Sequence, residues 1–150
     1  MVTLALDTNV LAYAEGTNGA AMKKAALDLV ERLPPESTMI PVQTLGELFA
    51  VLVKKARRSP ATARLAVLSW GDAFPLIETS AAVLQAAMDL VVDHRLGLWD
   101  AVIVSAAADA ECRLLLSEDL QEGWTWSGLT IVNPFSPTRH ALLEAVLNDR

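Results

Sequence analysis

Short apolar segments alternate along the chain with longer segments that have the periodicity of an α-helix. In the longer segments, apolar residues recur at spacings of three and four, which places them on one face of a helix. The short segments are typical of buried strands, and they are residues 3–6, 39–42, 76–78, 114–117 and 129–132. The pattern therefore predicts strands separated by helices.

The predicted helices begin and end at residues with known local preferences. Ser59 followed by Pro60 is a typical helix start, and Ser80 is a suitable N-cap for another helix. Pro34 and Pro35 end the first long helix, because proline cannot continue one. The predicted helices are residues 20–33, 43–57, 60–70, 81–94, 100–111 and a terminal, peripheral helix over 140–147.

Strands that alternate with helices favour a parallel sheet with helices on both faces. The chain has 150 residues, which corresponds most simply to one domain over residues 1–150. In parallel sheets of this kind, functional sites form beyond the carboxyl ends of the strands. Polar residues at those ends are therefore the first candidates for chemistry.

Four acidic residues interrupt or adjoin apolar segments that otherwise have the character of a core. Asp7 follows the first predicted strand and Asp119 follows the fourth, whereas Glu47 and Asp100 lie near the starts of predicted helices. A buried, unpaired carboxylate is costly, so such a group is usually paired, protonated or bound to a metal. We expect the four acids to lie near one edge of the sheet, where a divalent cation would keep them ionised.

The overall charge constrains function only weakly. The chain has 12 Lys and Arg and 18 Asp and Glu, a net charge of −6, which argues against a protein that coats nucleic acid. The four acids contribute most of this excess, so a nuclease stays possible. With one cysteine, Cys112, no internal disulfide can form, which fits a reducing cytoplasm. We see no secretory signal and no apolar stretch near the ~18 residues that span a bilayer, so no membrane partner is expected.

Each acid alone also has an ordinary structural explanation. Asp7 could cap a helix that begins near Val10. Glu47 could keep its carboxylate in solvent beside the core, and Asp100 could complement a helix dipole. Asp119 could form a local hydrogen bond in a turn. Taken one at a time, these residues leave both interpretations open.

Together, the order and context of the acids resemble those of PIN domains, in particular the VapC-type toxin ribonucleases of bacterial and archaeal toxin–antitoxin systems. The resemblance covers nearly the whole chain, from LALDTNVL at residues 4–11 to LTIVNPF at residues 129–135. Glu47, the segment WDA around Asp100 and the segment SED that ends at Asp119 match the other acidic positions of the family. The resemblance implies a three-layer α/β/α sandwich with a central, mostly parallel sheet. It also implies a metal-dependent endoribonuclease that is typically dimeric and inhibited by an antitoxin.

Carboxylates without histidine or cysteine suit Mg²⁺, and we expect Mn²⁺ to substitute. Such an ion lowers the pKa of bound water and screens the charge of a phosphate. We expect four residues to hold it directly or through water: Asp7, Glu47, Asp100 and Asp119. Glu47 could instead orient the attacking water. Asn9 and Ser117 are expected to fix the carboxylates by hydrogen bonds.

Two further surfaces have more than one interpretation. A basic run could complement a helix dipole in solvent, contact the RNA backbone or bind an acidic partner; it consists of Lys54, Lys55, Arg57 and Arg58. The following helix has more apolar residues than one core face requires, and they could form a dimer surface or a groove for an antitoxin helix. These residues are Ala61, Leu65, Val67 and Leu68.

The tryptophans near the acids are interpreted as packing residues. Trp99 precedes Asp100 directly, and we expect it to pack rather than to stack on a base. Trp124 and Trp126 are expected in a loop that covers the end of the sheet, although exposed tryptophans could also stack on bases.

Other classes of protein fit the sequence less well. An aspartate-dependent phosphatase commonly needs a second carboxylate two residues after the first, where Asn9 stands. A phosphorylated receiver domain normally has its acceptor aspartate after a central strand, and residues 76–78 are not followed by one. A non-catalytic PIN-like module that binds a partner is the remaining alternative, and the complete set of four acids disfavours it.

Overall fold

The computed structural model describes residues 2–148. Within them the strands are β1 (Leu4–Leu6), β2 (Thr38–Pro41), β3 (Leu76–Ile77), β4 (Leu114–Leu116), β5 (Thr125–Trp126) and β6 (Leu129–Val132). They form a six-stranded sheet in the order β3-β2-β1-β4-β6-β5. All neighbouring strands are parallel except β5, which pairs antiparallel with β6. The sheet is therefore mostly parallel, as predicted.

The helices connect these strands. They are α1 (Thr8–Ala14), α2 (Gly19–Arg32), α3 (Val42–Lys54), α4 (Pro60–Ala73), α5 (Ala81–His94), α6 (Leu98–Asp109) and α7 (Ala141–Asn148). Ser59 caps α4 by accepting from the Thr62 amide, and Ser80 caps α5 by accepting from the Val83 amide. Both predicted helix starts are confirmed.

The alternation of side chains along the strands divides the core between the two faces of the sheet. Leu4 and Leu6 of β1 pack with α1, α2, α3, α4 and α7 on one face. Ala5 of β1 and Leu115 of β4 pack with α5 and α6 on the other face. The result is the predicted α/β/α sandwich with the sheet as its middle layer.

Three local predictions were wrong. Helix α3 ends at Lys54 rather than at residue 57, and Arg57 has a left-handed φ of 57°. The terminal helix α7 is not peripheral, because its apolar face is buried in the core. The segment with Trp124 and Trp126 is not all loop: β5 and β6 form a hairpin whose two turn residues, Ser127 and Gly128, have φ values of 50° and 82°.

Residues 2–148 include seven α-helices, of which the longest have 14 residues. No helix in that range combines the length and the apolar character that crossing a membrane requires.

Candidate metal centre

The parallel pairing of β1 with β4 brings two polar residues together at the carboxyl edge of the sheet. Leu6 is in register with Leu116, so the residues that follow these strands, Asp7 and Ser117, lie side by side. The Asp7 amide donates to the Leu116 carbonyl at 3.0 Å. The Ser117 hydroxyl donates to Asp7 Oδ2 at 2.6 Å. The sheet itself therefore fixes the position of the Asp7 carboxylate.

Asp7 is also the N-cap of α1, since its Oδ1 accepts from the Thr8 amide at 2.7 Å. The capping interpretation of Asp7 is thus part of the structure, and it leaves Oδ2 directed to Ser117. The side chain is buried, with 4% exposure. Burial raises the pKa of Asp7 to about 6, against the lowering effect of its hydrogen bonds, and the charges of Asp100 and Glu47 raise it further.

Asn9 lies at the centre of the cluster. Its Nδ2 lies 3.3 Å from Oδ2 of Asp7 and 3.3 Å from Oδ2 of Asp119. Its Oδ1 accepts from the Glu118 amide at 3.1 Å. One amide side chain therefore holds the first and the fourth acid of the set, which are far apart in the sequence, on the same edge of the sheet.

The other two acids complete an electrostatic cluster. Glu47 and Asp100 are half-buried. Burial raises the pKa of Glu47, and the negative charges of Asp100 and Asp119 add to the effect. The pKa of Asp100 is raised by burial and then by Asp119. Because like charges oppose ionisation in this way only over short distances, each of the four acids lies within the field of at least one other.

No basic side chain within residues 2–148 forms an ion pair with this cluster. Among residues 2–148, the ion pairs are Lys24–Asp28, Arg58–Glu15 and Arg139–Glu144, and none involves the four acids. The described part of the chain also has no group of three or more His, Cys, Asp or Glu already positioned to hold one ion. The donor set nonetheless consists of carboxylate oxygens supported by amide and hydroxyl groups, which is the chemistry that Mg²⁺ prefers.

A cleft of about 350 Å³ opens beside the acids, between α1 and α3. Glu47 and Asp119 line one part of it, and Lys55 lines it as well. Arg58, from the same basic run, instead donates to the Glu15 carboxylate at 2.7 Å. The structure therefore separates two residues that the sequence presented as one patch.

Tyr13 and Glu118 form a contact that the sequence interpretation missed. The Tyr13 hydroxyl donates to Glu118 Oε1 at 2.6 Å, and this hydrogen bond is the main reason that the pKa of Tyr13 is raised to about 12. Tyr13 lies four residues after Asn9 on α1, so both side chains reach the loop that carries Asp119. The spacing of four residues could have indicated that Tyr13 lies on the same helix face as Asn9. It could not have indicated that Glu118 accepts the hydrogen bond from Tyr13.

The predicted packing roles of the nearby apolar residues have mixed outcomes. Trp99 was expected to pack rather than to stack on a base, but it is 56% exposed, so more than half of its surface is not packed. Trp124 and Trp126 are partly buried against the core beneath the sheet's α5–α6 face, as expected. On α4, Ala61, Leu65 and Leu68 are exposed, whereas Val67 packs against the core.

The model of the PIN domain family matches residues 4–121, which is most of the chain. The chain belongs to the PIN domain family. The comparison with curated proteins found no match for the chain. The family match confirms the resemblance that the acidic motifs indicated.

Solved structures of VapC-type proteins share the fold. VapC20 of Mycobacterium tuberculosis, described as a sarcin-ricin loop cleaving toxin, is 19% identical with a TM-score of 0.66, over 78% of this chain and 90% of that one. A toxin–antitoxin complex from Klebsiella pneumoniae is 22% identical with a TM-score of 0.66, over 89% and 98%. A DNA-bound VapBC from Salmonella typhimurium is 16% identical with a TM-score of 0.60, over 87% and 97%. These likenesses confirm the PIN-like sandwich.

Proposed function

We propose that this protein is a Mg²⁺-dependent endoribonuclease that hydrolyses RNA phosphodiester bonds as the toxin of a VapBC-type toxin–antitoxin pair. The observation that carries the proposal is the convergence of four acids at one edge of the sheet, with no ion pair to a basic residue in the described part of the chain: Asp7, Glu47, Asp100 and Asp119. A carboxylate cluster that serves only the fold would be neutralised within the chain. Membership of the PIN domain family supports the nuclease interpretation.

In this proposal the four acids hold Mg²⁺, or Mn²⁺ in its place, directly or through water. The bound ion supplies a water of lowered pKa and screens the phosphate charge. Ser117 and Asn9 hold Asp7 in position by the hydrogen bonds described above. Glu47, which is half-buried and held by Gln43 at 3.2 Å, is placed either to ligate or to orient the attacking water.

The proposal includes a protein partner. Structures with the same fold include toxin–antitoxin complexes, some of them bound to DNA. We propose that an antitoxin binds this chain, that the chain forms a homodimer and that it acts in the cytoplasm. The exposed Leu65 and Leu68 of α4 are apolar surface that either contact would cover.

The activity is tested with purified protein and single-stranded RNA in buffers with Mg²⁺, with Mn²⁺ or with EDTA. We expect cleavage with either ion and none with EDTA. Asp100→Asn should reduce the rate by more than about 100-fold if it removes a ligand. Asp109→Asn is the matched control, because Asp109 lies on the same helix and is exposed. Cleavage that continues in EDTA, or that Asp100→Asn leaves at the wild-type rate, would contradict the proposal.

The partner is tested by expression in a bacterial host. Induction should arrest growth, and co-expression of a small DNA-binding protein encoded next to this chain should restore it. The Asp100→Asn variant should not arrest growth although it still binds that partner. Partner binding without any RNA cleavage by the wild type would instead favour a non-catalytic PIN-like binding module.

A further inference from the structure

The cleft beside the acids extends from the acidic cluster toward Lys55. On one wall are Glu47 and Val51 of α3 and Lys55, the C-cap residue that directly follows the helix in helical backbone geometry. Their spacing of four residues places the three side chains on one face. On the other wall are Tyr13 of α1 and Asn18, which follows that helix. The cleft therefore leads from the acidic cluster to a single lysine. With a rise of 1.5 Å per residue, Lys55 lies about 12 Å along α3 from Glu47.

The four cations of the basic run differ in their surroundings. Lys55 is the member of the run that lines the cleft. Arg58 donates from Nη1 to the Glu15 carboxylate and from Nη2 to the Glu15 carbonyl at 2.8 Å, so its guanidinium is already engaged. Lys54 and Arg57 are exposed and do not line the cleft. A ligand in the cleft would meet the charge of Lys55 and not that of its neighbours.

We propose that the groove between α1 and α3 is the binding site for the RNA strand on one side of the scissile phosphate. This inference rests on the proposed function. When the scissile phosphate lies at the acids, a more distant phosphate of the same strand lies against the Lys55 ammonium group. Asn18 then offers its amide to the sugar or the base between the two phosphates. The Thr17 hydroxyl donates to the Ala12 carbonyl at 3.0 Å and therefore offers only its oxygen as an acceptor.

The lining of the groove favours nucleic acid over an acidic peptide. A peptide helix in a groove is held by several large apolar side chains on the groove wall. Here the apolar lining consists of Ala12 and Val51, and the remaining residues are polar or charged. A chain held mainly by phosphate contacts and hydrogen bonds matches such a wall better.

The test measures RNA binding and cleavage separately. Binding of a short fluorescent single-stranded RNA is followed by anisotropy in Mg²⁺ buffer, in an Asp7→Asn background that prevents cleavage. Lys55→Ala is compared with Lys54→Ala, which removes the same charge one residue away. We expect Lys55→Ala to raise the Kd about fivefold and to reduce the salt dependence of binding by about 0.7 in the log–log slope, the value for one phosphate contact on a single strand. Lys54→Ala should change neither quantity appreciably.

Several outcomes would overturn the groove assignment. The assignment fails if the two lysine variants have equal effects on the Kd and on the salt slope, or if the protein does not bind RNA. It also fails if Lys55→Ala weakens the binding of polyglutamate but not the binding of RNA. Thermal unfolding of both variants shows whether each is folded. Cleavage by the otherwise wild-type chain is measured in parallel. If the wild-type chain cleaves RNA but the two lysine variants bind RNA equally well, only the groove assignment fails. If the chain never cleaves RNA but Lys55→Ala alone weakens RNA binding, the nuclease proposal fails and the groove remains an RNA-binding site.

Discussion

Helix α1 has a carboxylate at each end, and the two are treated differently by the fold. At the C-terminal end, Glu15 accepts from Arg58 at 2.7 Å and from the Trp70 indole at 2.9 Å. At the N-terminal end, Asp7 accepts from the Ser117 hydroxyl at 2.6 Å and the Thr8 amide at 2.7 Å, which are neutral donors. Asp7 is the more deeply buried of the two, and yet no basic residue between positions 2 and 148 forms an ion pair with it.

This difference separates a carboxylate that joins structural elements from one whose charge no described basic residue balances. Glu15 ties α1 to the α3–α4 connection and to α4, and its charge is balanced within the chain. Asp7 is held as firmly, but the balancing charge is missing among the described residues, and three further acids lie nearby. A divalent cation from solution would balance the charge of Asp7 at the N-terminal end of α1, as Arg58 balances the charge of Glu15 at the C-terminal end.

The largest predicted effect is that of Asp7→Asn. The amide keeps the volume but removes the charge, so RNA cleavage should fall by more than about 100-fold, as for loss of a metal ligand. In EDTA at neutral pH the variant should be at least as stable as the wild type, because a buried charge without a cation is removed. Cleavage assays and urea unfolding measure the two properties. If Asp7→Asn retains activity, or loses both activity and its fold, then Asp7 does not differ from Glu15 in the way proposed.

The pH dependence of stability sharpens the same contrast. The pKa of Asp7 is raised from its ordinary 3.8 to about 6, so the folded state binds this proton more tightly than the unfolded chain does. The resulting stability is complete below pH 3.8 and is lost as the pH rises through about 6, a change of about 3 kcal/mol.

Urea unfolding in EDTA from pH 4 to pH 7.5 tests this pH effect. The wild type should lose stability relative to Asp7→Asn across that range. Parallel pH profiles of the two proteins would contradict the account. Adding Mg²⁺ at the upper end should restore stability to the wild type and much less to the variant.

A smaller effect is expected from Ser117→Ala. The change removes the hydroxyl that donates to Asp7 Oδ2 and leaves the carboxylate less well oriented, so cleavage should fall about tenfold. Ser105→Ala is the matched control, since Ser105 is also buried and its hydroxyl has no partner among the described residues. Rates are compared at saturating Mg²⁺. Equal rates for the two variants would show that the Ser117 hydrogen bond does not act on the site.

The smallest effect is expected at the other end of α1. Glu15→Gln should lower the free energy of unfolding by about 1 kcal/mol, a modest value because Arg58 and Glu15 are 26% and 21% exposed. Cleavage should be unchanged. Glu144→Gln provides a control, since its pair with Arg139 is longer, at 3.4 Å, and more exposed. If Glu15→Gln lost cleavage but kept the stability of the wild type, Glu15 would belong to the active site and would not differ in role from Asp7.

The sequence was sufficient for those features that depend on local pattern. The pattern of strands and helices placed Asp7 and Asp119 beyond the ends of their strands, and the capping motifs at Ser59 and Ser80 were correct. The two-residue strand β5 was missed, because a strand that short has no periodicity to detect. The Ser-Gly turn that forms its hairpin was the available signal.

Contacts between distant segments were beyond sequence reasoning. Nothing near Arg58 indicates that Glu15 binds it, so four cations were treated as one basic patch. Nothing near Tyr13 indicates Glu118 as its acceptor. The burial of α7 depends on which face of the sheet remains open after α1 to α4 have packed, and the chain order alone does not specify that.

Titration of the metal-free protein with Mn²⁺ in a calorimeter at pH 6 tests the central claim most directly. The account predicts saturable binding accompanied by release of protons, because the ion replaces the proton that Asp7 holds when its pKa is about 6. Repeating the titration in buffers of different ionisation enthalpy counts those protons, and Asp7→Asn should release fewer. Absence of binding, or binding of equal strength and proton count in wild type and variant, would contradict the assignment of this edge of the sheet as a metal centre.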